Sequence, residues 1–269
     1  MDEPWRTLGG LAAGAALTAG GASLAVRSLL QPLRPCGVPV FRLGLVGPPR
    51  AGSPLNDLRV PPSRFEPFLR NLSRRGFRAV TLAEAARRRR ERDFLASRPV
   101  ALTFDGPFLA FRAAAWPALR RHGLTRVTLF FPAARLGQES LTFAEGRPEP
   151  ILSTEDLATL VGEGVEVGLW TRVTPGEQRD AVAARLRQER AALSGATGAP
   201  VVSLAAAAVP PALEWAARAV GFECLASDGH GFFGAQAPAF GVPRFAVTPK
   251  STPLELALVV GRRVGVAAW

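Results

Sequence analysis

The segment PVALTFDGPF, Pro99–Phe108, decides how the chain folds. Val100 to Phe104 form a short apolar run, the pattern of a strand buried on both faces. It runs directly into Asp105, Gly106 and Pro107, so Asp105 stands where a strand hands over to a loop. In barrels of parallel strands that is where the chemistry is placed. Asp105 is therefore either a catalytic group or what remains of one.

Working outward, short apolar strands alternate with amphipathic helices. Upstream, VPVFRLGLV (Val38–Val46) reads as a strand and the Gly- and Pro-rich stretch after it as a loop. A helix begins at Ser63 and sets Phe65, Phe68, Leu69 and Leu72 on one face, with Gly76 as its stop. FRAVTL then reads as a strand and AEAARRRRER as a helix. Downstream, LAFRAAAWPALRRHG is a helix closed by Gly123, TRVTLFFP a strand, and STEDLATLVGEG a helix with Ser153 as N-cap and Asp156 at its third position. The alternation continues through VEVGLW, a long helix ending at Gly198, PVVSLAA, a helix opened by Pro210 and Pro211, and FECLAS. This order predicts an α/β fold with a parallel sheet or barrel, in one domain over residues 35–269.

The chain has 33 Lys and Arg against 22 Asp and Glu, a formal +11, and Lys250 is its only lysine. Arginine usage on this scale reads as coding bias rather than a designed charge surface. The densest run, ARRRRERDF at Ala86–Phe94, is expected to be a solvated helix end. It has no interleaved aromatics to stack on bases, so nucleic acid is not expected as a partner. Cys36 and Cys224 lack metal-site spacing; one long-range disulfide outside the cytoplasm and two inert buried thiols both stay open. There is no GxSxG elbow, phosphate loop or dinucleotide fingerprint.

At the N-terminus, residues 7–26 carry no charge and are bracketed by Arg6 and Arg27. About 20 apolar residues suit a membrane-spanning helix. A cleaved signal peptide and a soluble Ala-rich helix compete with that reading, and a retained anchor helix is the expectation. It would hold the domain at a bacterial inner membrane, on the extracytoplasmic side, beside a membrane or envelope partner. Arg27, Arg34, Arg42 and Arg50 favour the cytoplasm by the positive-inside rule, so the side stays open.

Five segments, taken in order, resemble the polysaccharide deacetylases of the NodB-homology type, carbohydrate esterase family 4. They are VPVFRLGLVG, PSRFEPFLRNLSRRGFRAVTLAEAA, VALTFDGPF, LSTEDLATLVGEGVEVGLWTRVTP and PPALEWAARAVGFECLAS. The resemblance implies a distorted (β/α) barrel. It also implies a divalent metal held by the second Asp of the family's TFDDG and by both His of its SHTxxH motif, with the first Asp as base. Carried over, the base is Asp105, and the metal positions are Gly106, Trp170 and Thr174. The family's opening-strand His pair falls on Gly44 and Leu45, and its proline-aromatic motif on Leu204–Val209. Glycine, indole and a lone threonine hydroxyl are no metal-binding set. This degenerate site implies no cofactor.

The only histidines are His122 and His230. His122, just before Gly123, reads as a helix-end cation. Asp228 and His230 could join Asp105 in a rebuilt pocket. The resemblance sets Arg42 and Arg172 at neighbouring strand ends, and a pairing of Asp105 with one of them is the expectation. The leading functional reading is a non-catalytic, membrane-anchored member of this family, a structural or accessory subunit with Phe232, Phe233 and Trp269 as candidate docking residues. The alternatives are a glycan-binding module with Trp170 as stacking platform, or a hydrolase with a rebuilt site acting on N-acetylated envelope polysaccharide.

Overall fold

The computed structural model describes residues 37–142, 147–174 and 176–264. The apolar N-terminal stretch, Cys36 and Trp269 lie outside the described residues. Among the described residues no helix is long and apolar enough to cross a membrane.

Ten strands form one sheet that curls into a nearly closed barrel. In chain order they are β1 (Val38–Leu43), β2 (Arg78–Val80), β3 (Pro99–Asp105), β4 (Thr128–Phe131), β5 (Glu166–Trp170), β6 (Ser203–Ala205), β7 (Cys224–Ala226), β8 (Phe232–Phe233), β9 (Phe240–Val242) and β10 (Phe245–Ala246). β3 is the hub. Ala101 faces Val40 of β1 on one edge and Val80 of β2 on the other, while Thr103 faces Arg42 of β1 and Thr128 of β4. β2 and β4 therefore share one edge of β3 in succession. The parallel order then runs through β5, β6, β7 and β9.

Closure comes from a segment the sequence left unassigned. β9 pairs with β7, and β10 pairs with β1. The step between them, Pro243–Arg244, thus crosses the seam of the barrel. β8 adds to β1 in the antiparallel sense.

The helices are α1 (Pro62–Arg74), α2 (Leu82–Arg88), α3 (Arg92–Ala96), α4 (Trp116–Arg121), α5 (Thr154–Gly162), α6 (Arg179–Thr197), α7 (Pro211–Val220) and α8 (Pro253–Val264). α1 starts with a proline in its first turn and buries Phe65, Phe68, Leu69 and Leu72, the face expected from their spacing. Burial of each such side chain stabilises the fold by about 1.5–3 kcal/mol. α5 has the reciprocal Ser153–Asp156 capping box. Phe111–Ala115 is a π-helical turn leading into α4. Pro117 follows at once, and its missing N–H removes a donor from the regular ladder.

The stretch expected to be one helix, AEAARRRRER, is broken: α2 stops at Arg88, and α3 starts at the stretch's last residue, Arg92. α2 and α3 fold under the barrel, and Leu82, Ala85, Ala86 and Phe94 pack with Val40, Ala101, Phe130 and Cys224 inside it. A single helix would carry Phe94 away from that interior. The floor is fixed by Thr81, whose side chain accepts from the Glu84 N–H, and by Thr128, which accepts from the Leu82 N–H.

Candidate functional site

Strand alternation decides what faces the barrel axis. Val100, Leu102 and Phe104 of β3 belong to the core between sheet and helices, whereas Ala101 belongs to the interior cluster. Thr103 and Asp105 share the face of Ala101, so the carboxylate sits at the mouth of the barrel.

Arg244, delivered by the seam, meets it there. Nη1 donates to Asp105 Oδ1 at 2.6 Å and Nη2 to Asp105 Oδ2 at 2.8 Å, a bidentate pair. Nη1 also reaches Thr103 Oγ1 at 3.3 Å, Nη2 reaches Asp228 Oδ1 at 2.9 Å, and Nε donates to the Ser227 carbonyl at 2.9 Å. A guanidinium has five N–H donors, and all five are used. The side chain is 0 % exposed and its guanidinium lies 5.6 Å from the Phe130 ring centroid. A charge this buried is tolerated only when so completely matched. Arg42 closes the set by donating to Asp228 Oδ2 at 3.1 Å. Two aspartates and two arginines thus alternate across the mouth.

The expected pairing of Asp105 with Arg42 or Arg172 is therefore corrected. Arg42 is one carboxylate removed, and Arg172 is exposed at a groove rim with its carbonyl accepting from Arg185. The resemblance could not supply Arg244, because PRFAVTP has neither helical nor strand periodicity. A usable signal was present: Arg244 is the only arginine between Arg218 and Arg262, set among Val242, Phe245 and Val247. An arginine among apolar residues asks for a buried partner.

The three metal positions lie at this mouth but do not fit a cation. Gly106 has φ +117°, and a Cβ there would stand 2.4 Å from the Phe108 ring. Backbone and neighbour both oppose a carboxylate at that position. Trp170 is half-buried against the interior cluster, and Thr174 is exposed, its N–H donating to Glu177. Among the described residues no three His, Cys, Asp or Glu side chains gather to hold a metal. Both oxygens of Asp105 and of Asp228 are already held by guanidinium groups. His230 is exposed, its ring edge-on to Phe245 at 6.2 Å.

Other assigned residues fall elsewhere. Phe233 is fully buried inside the barrel, and Phe232 is half-buried against Phe245, so Phe233 is core rather than a docking residue. Cys224 is buried too, beside Ser203, and burial together with Glu166 pushes its thiol well above the ordinary range. Such a thiol is inert. His122 bonds Glu66 at 2.9 Å on the outer surface.

A second buried charge group supports the loop after Asp105. Glu149 is 2 % exposed and accepts from Ser53 at 2.6 Å, Arg59 at 2.5 Å and Arg50 at 2.8 Å. Burial opposes ionisation, but the Ser53 hydroxyl and the Arg59 and Arg50 guanidiniums outweigh it and hold the Glu149 carboxyl below the usual range. The segment beginning at Glu149 is tied to Pro107–Leu109 by the Leu109 N–H to the Pro150 carbonyl and the Leu152 N–H to the Pro107 carbonyl. The loop that follows Asp105 is thereby held in place.

Loops after β5 and β6 frame a groove of about 860 Å³ lined by Trp170, Arg172, Thr174, Glu177, Ala207 and Pro210 among others. Arg185 of α6 fixes its rim by bonding Thr171, Glu177 and the Arg172 carbonyl. Trp170 stands in this lining beside Ala206, Ala207 and Ala208.

No known family model matches the chain, and no curated protein matches it. Solved structures do. The Streptococcus pyogenes deacetylase PplD, solved in complex with acetate, superposes with a TM-score of 0.71 over 86% of this chain and 100% of that one, at 16% identity. IcaB from Ammonifex degensii gives 0.67 over 86% and 100%, at 23% identity. A polysaccharide deacetylase from Bacillus cereus gives 0.67 over 83% of this chain and 69% of that one, at 18% identity. At these identities the likeness is one of fold: the chain has the (β/α) barrel of the polysaccharide deacetylases.

Proposed function

We propose that this chain is a deacetylase-fold protein that has left metal-dependent hydrolysis. It works as an accessory module, held at a membrane by residues 7–26, with an N-acetylated envelope glycan lodged in the groove beside Trp170. The observation that carries the reading is the state of the metal positions. Gly106, Trp170 and Thr174 offer no set of donors, and at Gly106 the positive φ and the nearby Phe108 ring both oppose a side chain. Fold alone does not transfer activity; the site must carry it. What supports a binding role is the open groove lined by Trp170 and small apolar residues, together with a separate charge set whose members are bonded to one another.

The test is metal analysis of the purified full-length protein beside acetate release from chitin oligomers and peptidoglycan, with added zinc or cobalt. The expected result is neither stoichiometric metal nor acetate; metal-dependent acetate release would overturn the reading. Chitooligosaccharide is expected to quench tryptophan fluorescence, with the response lost in Trp170→Ala. The reversal Gly106→Asp with Trp170→His and Thr174→His is expected to stay zinc-free until Phe108→Ala is added, which separates crowding from missing donors.

A further inference from the structure

We infer that the floor of the barrel is a docking surface for anionic phospholipid headgroups. Residues 74–98 hold nine arginines against three carboxylates, more than half of the chain's formal +11. Tertiary structure gives this stretch one location. α2 and α3 turn Leu82, Ala85, Ala86 and Phe94 up into the barrel and leave Arg87, Arg88, Arg90 and Arg92 exposed below.

Most acidic groups of this end are already paired. Glu84 and Glu91 both hold Arg88, at 3.2 and 3.0 Å; Glu84 also takes Arg126 at 3.1 Å, and Glu223 takes Arg87 at 2.8 Å. Asp93 is exposed. Among the described residues Arg78, Arg90 and Arg92 are exposed with no carboxylate at ion-pair distance. Glu166, which points into the barrel above them, is satisfied by Thr128, Ser203 and the Ala83 N–H rather than by an arginine.

The chain outside the described residues leaves from this same end. β1 begins at Val38, and Gly37 packs against the backbone of Phe233. The Arg89 guanidinium lies 5.5 Å from the Phe233 ring and donates to the Ala237 carbonyl at 3.1 Å. The uncharged stretch 7–26 is thus joined to the arginine-rich floor by residues 27–36, which can span about 35 Å at most. With that stretch in a bilayer, the floor faces the headgroups and the groove faces away. Surface arginines near an anionic bilayer each add to binding. Among the described residues of the floor, Phe77, Phe94 and Phe233 are buried, unlike the exposed stacking platforms of a nucleic-acid surface.

The inference rests on the anchoring part of the proposed function, and the experiment separates the two. The full-length chain, the floor variant Arg90→Glu/Arg92→Glu and the control Arg135→Glu/Arg187→Glu, with the same charge change on other faces, are titrated with phosphatidylcholine vesicles with and without phosphatidylglycerol. The floor variant is expected to lose affinity for the phosphatidylglycerol vesicles by about tenfold or more, with the control near the parent chain. Hydrogen exchange on those vesicles, which reads the floor even where the anchor saturates binding, is expected to show residues 82–96 protected. Equal losses in both variants, no loss in either, or protection of residues 171–177 instead would overturn the inference. So would a floor reversal that abolishes binding of an RNA oligomer while leaving the vesicles untouched. Deleting residues 7–26 tests the anchor alone: unchanged vesicle binding there, with the floor variant still weakened, removes the anchor and keeps the surface.

Discussion

The two ends of the barrel use the same residue, arginine, in opposite ways. At the mouth Arg244 and Arg42 are matched one for one by Asp105 and Asp228, and Arg244 is sealed from water. At the floor Arg78, Arg90 and Arg92 stand in solvent. The difference is dielectric. A guanidinium inside the barrel must find a carboxylate, because an unpaired buried charge costs several kcal/mol, whereas one in water needs none. An arginine-rich composition is therefore silent until the fold divides it into charges that hold the protein together and charges that face outward.

The comparison can be broken most forcefully at the mouth. Arg244→Met leaves Asp105 without its pair and Asp228 short of one, and is expected to destabilise the fold by about 3–5 kcal/mol in denaturant titration. Adding Asp105→Asn to that variant is expected to recover part of the loss. A fully additive double variant would mean that the two side chains act independently.

Glu149 sharpens the point through pH. Its folded carboxyl sits below the ordinary value, so its contribution is present above the unfolded pKa and lost as pH falls through the folded one. Glu149→Gln is expected to cost about 3 kcal/mol at neutral pH. It should also flatten the acid limb of the stability profile; an unchanged limb would remove Glu149 from the acid transition.

The smallest effect belongs to the floor. Arg90→Glu/Arg92→Glu is expected to change stability by no more than ~0.5 kcal/mol by thermal melting, as for surface substitutions generally. A large loss would show that these arginines hold structure after all.

Much of this could be read from residue order. Val100–Phe104 announced a buried strand, the spacing of Phe65, Phe68, Leu69 and Leu72 gave α1 its face, and Ser153 with Asp156 marked the start of α5. These signals are local, set by the periods of strand and helix, and they predicted a parallel α/β sheet or barrel; the resemblance to the polysaccharide deacetylases singled out the barrel, which the structure has. The break between α2 and α3 was not legible, because periodicity cannot distinguish a helix that continues into solvent from one that turns to bury Phe94.

By itself, then, the sequence determined the alternation of strand and helix and the place of Asp105 at the end of β3; the resemblance set Gly106, Trp170 and Thr174 where the deacetylases hold a metal. Only the tertiary structure decided what Asp105 touches. Arg244 is 139 residues away and Arg42 lies 186 from Asp228, pairs that exist because β9 and β10 close the barrel on β1. Local propensity fixes which side of a strand a residue faces; closure of the barrel fixes which residues then share the dry space at its mouth.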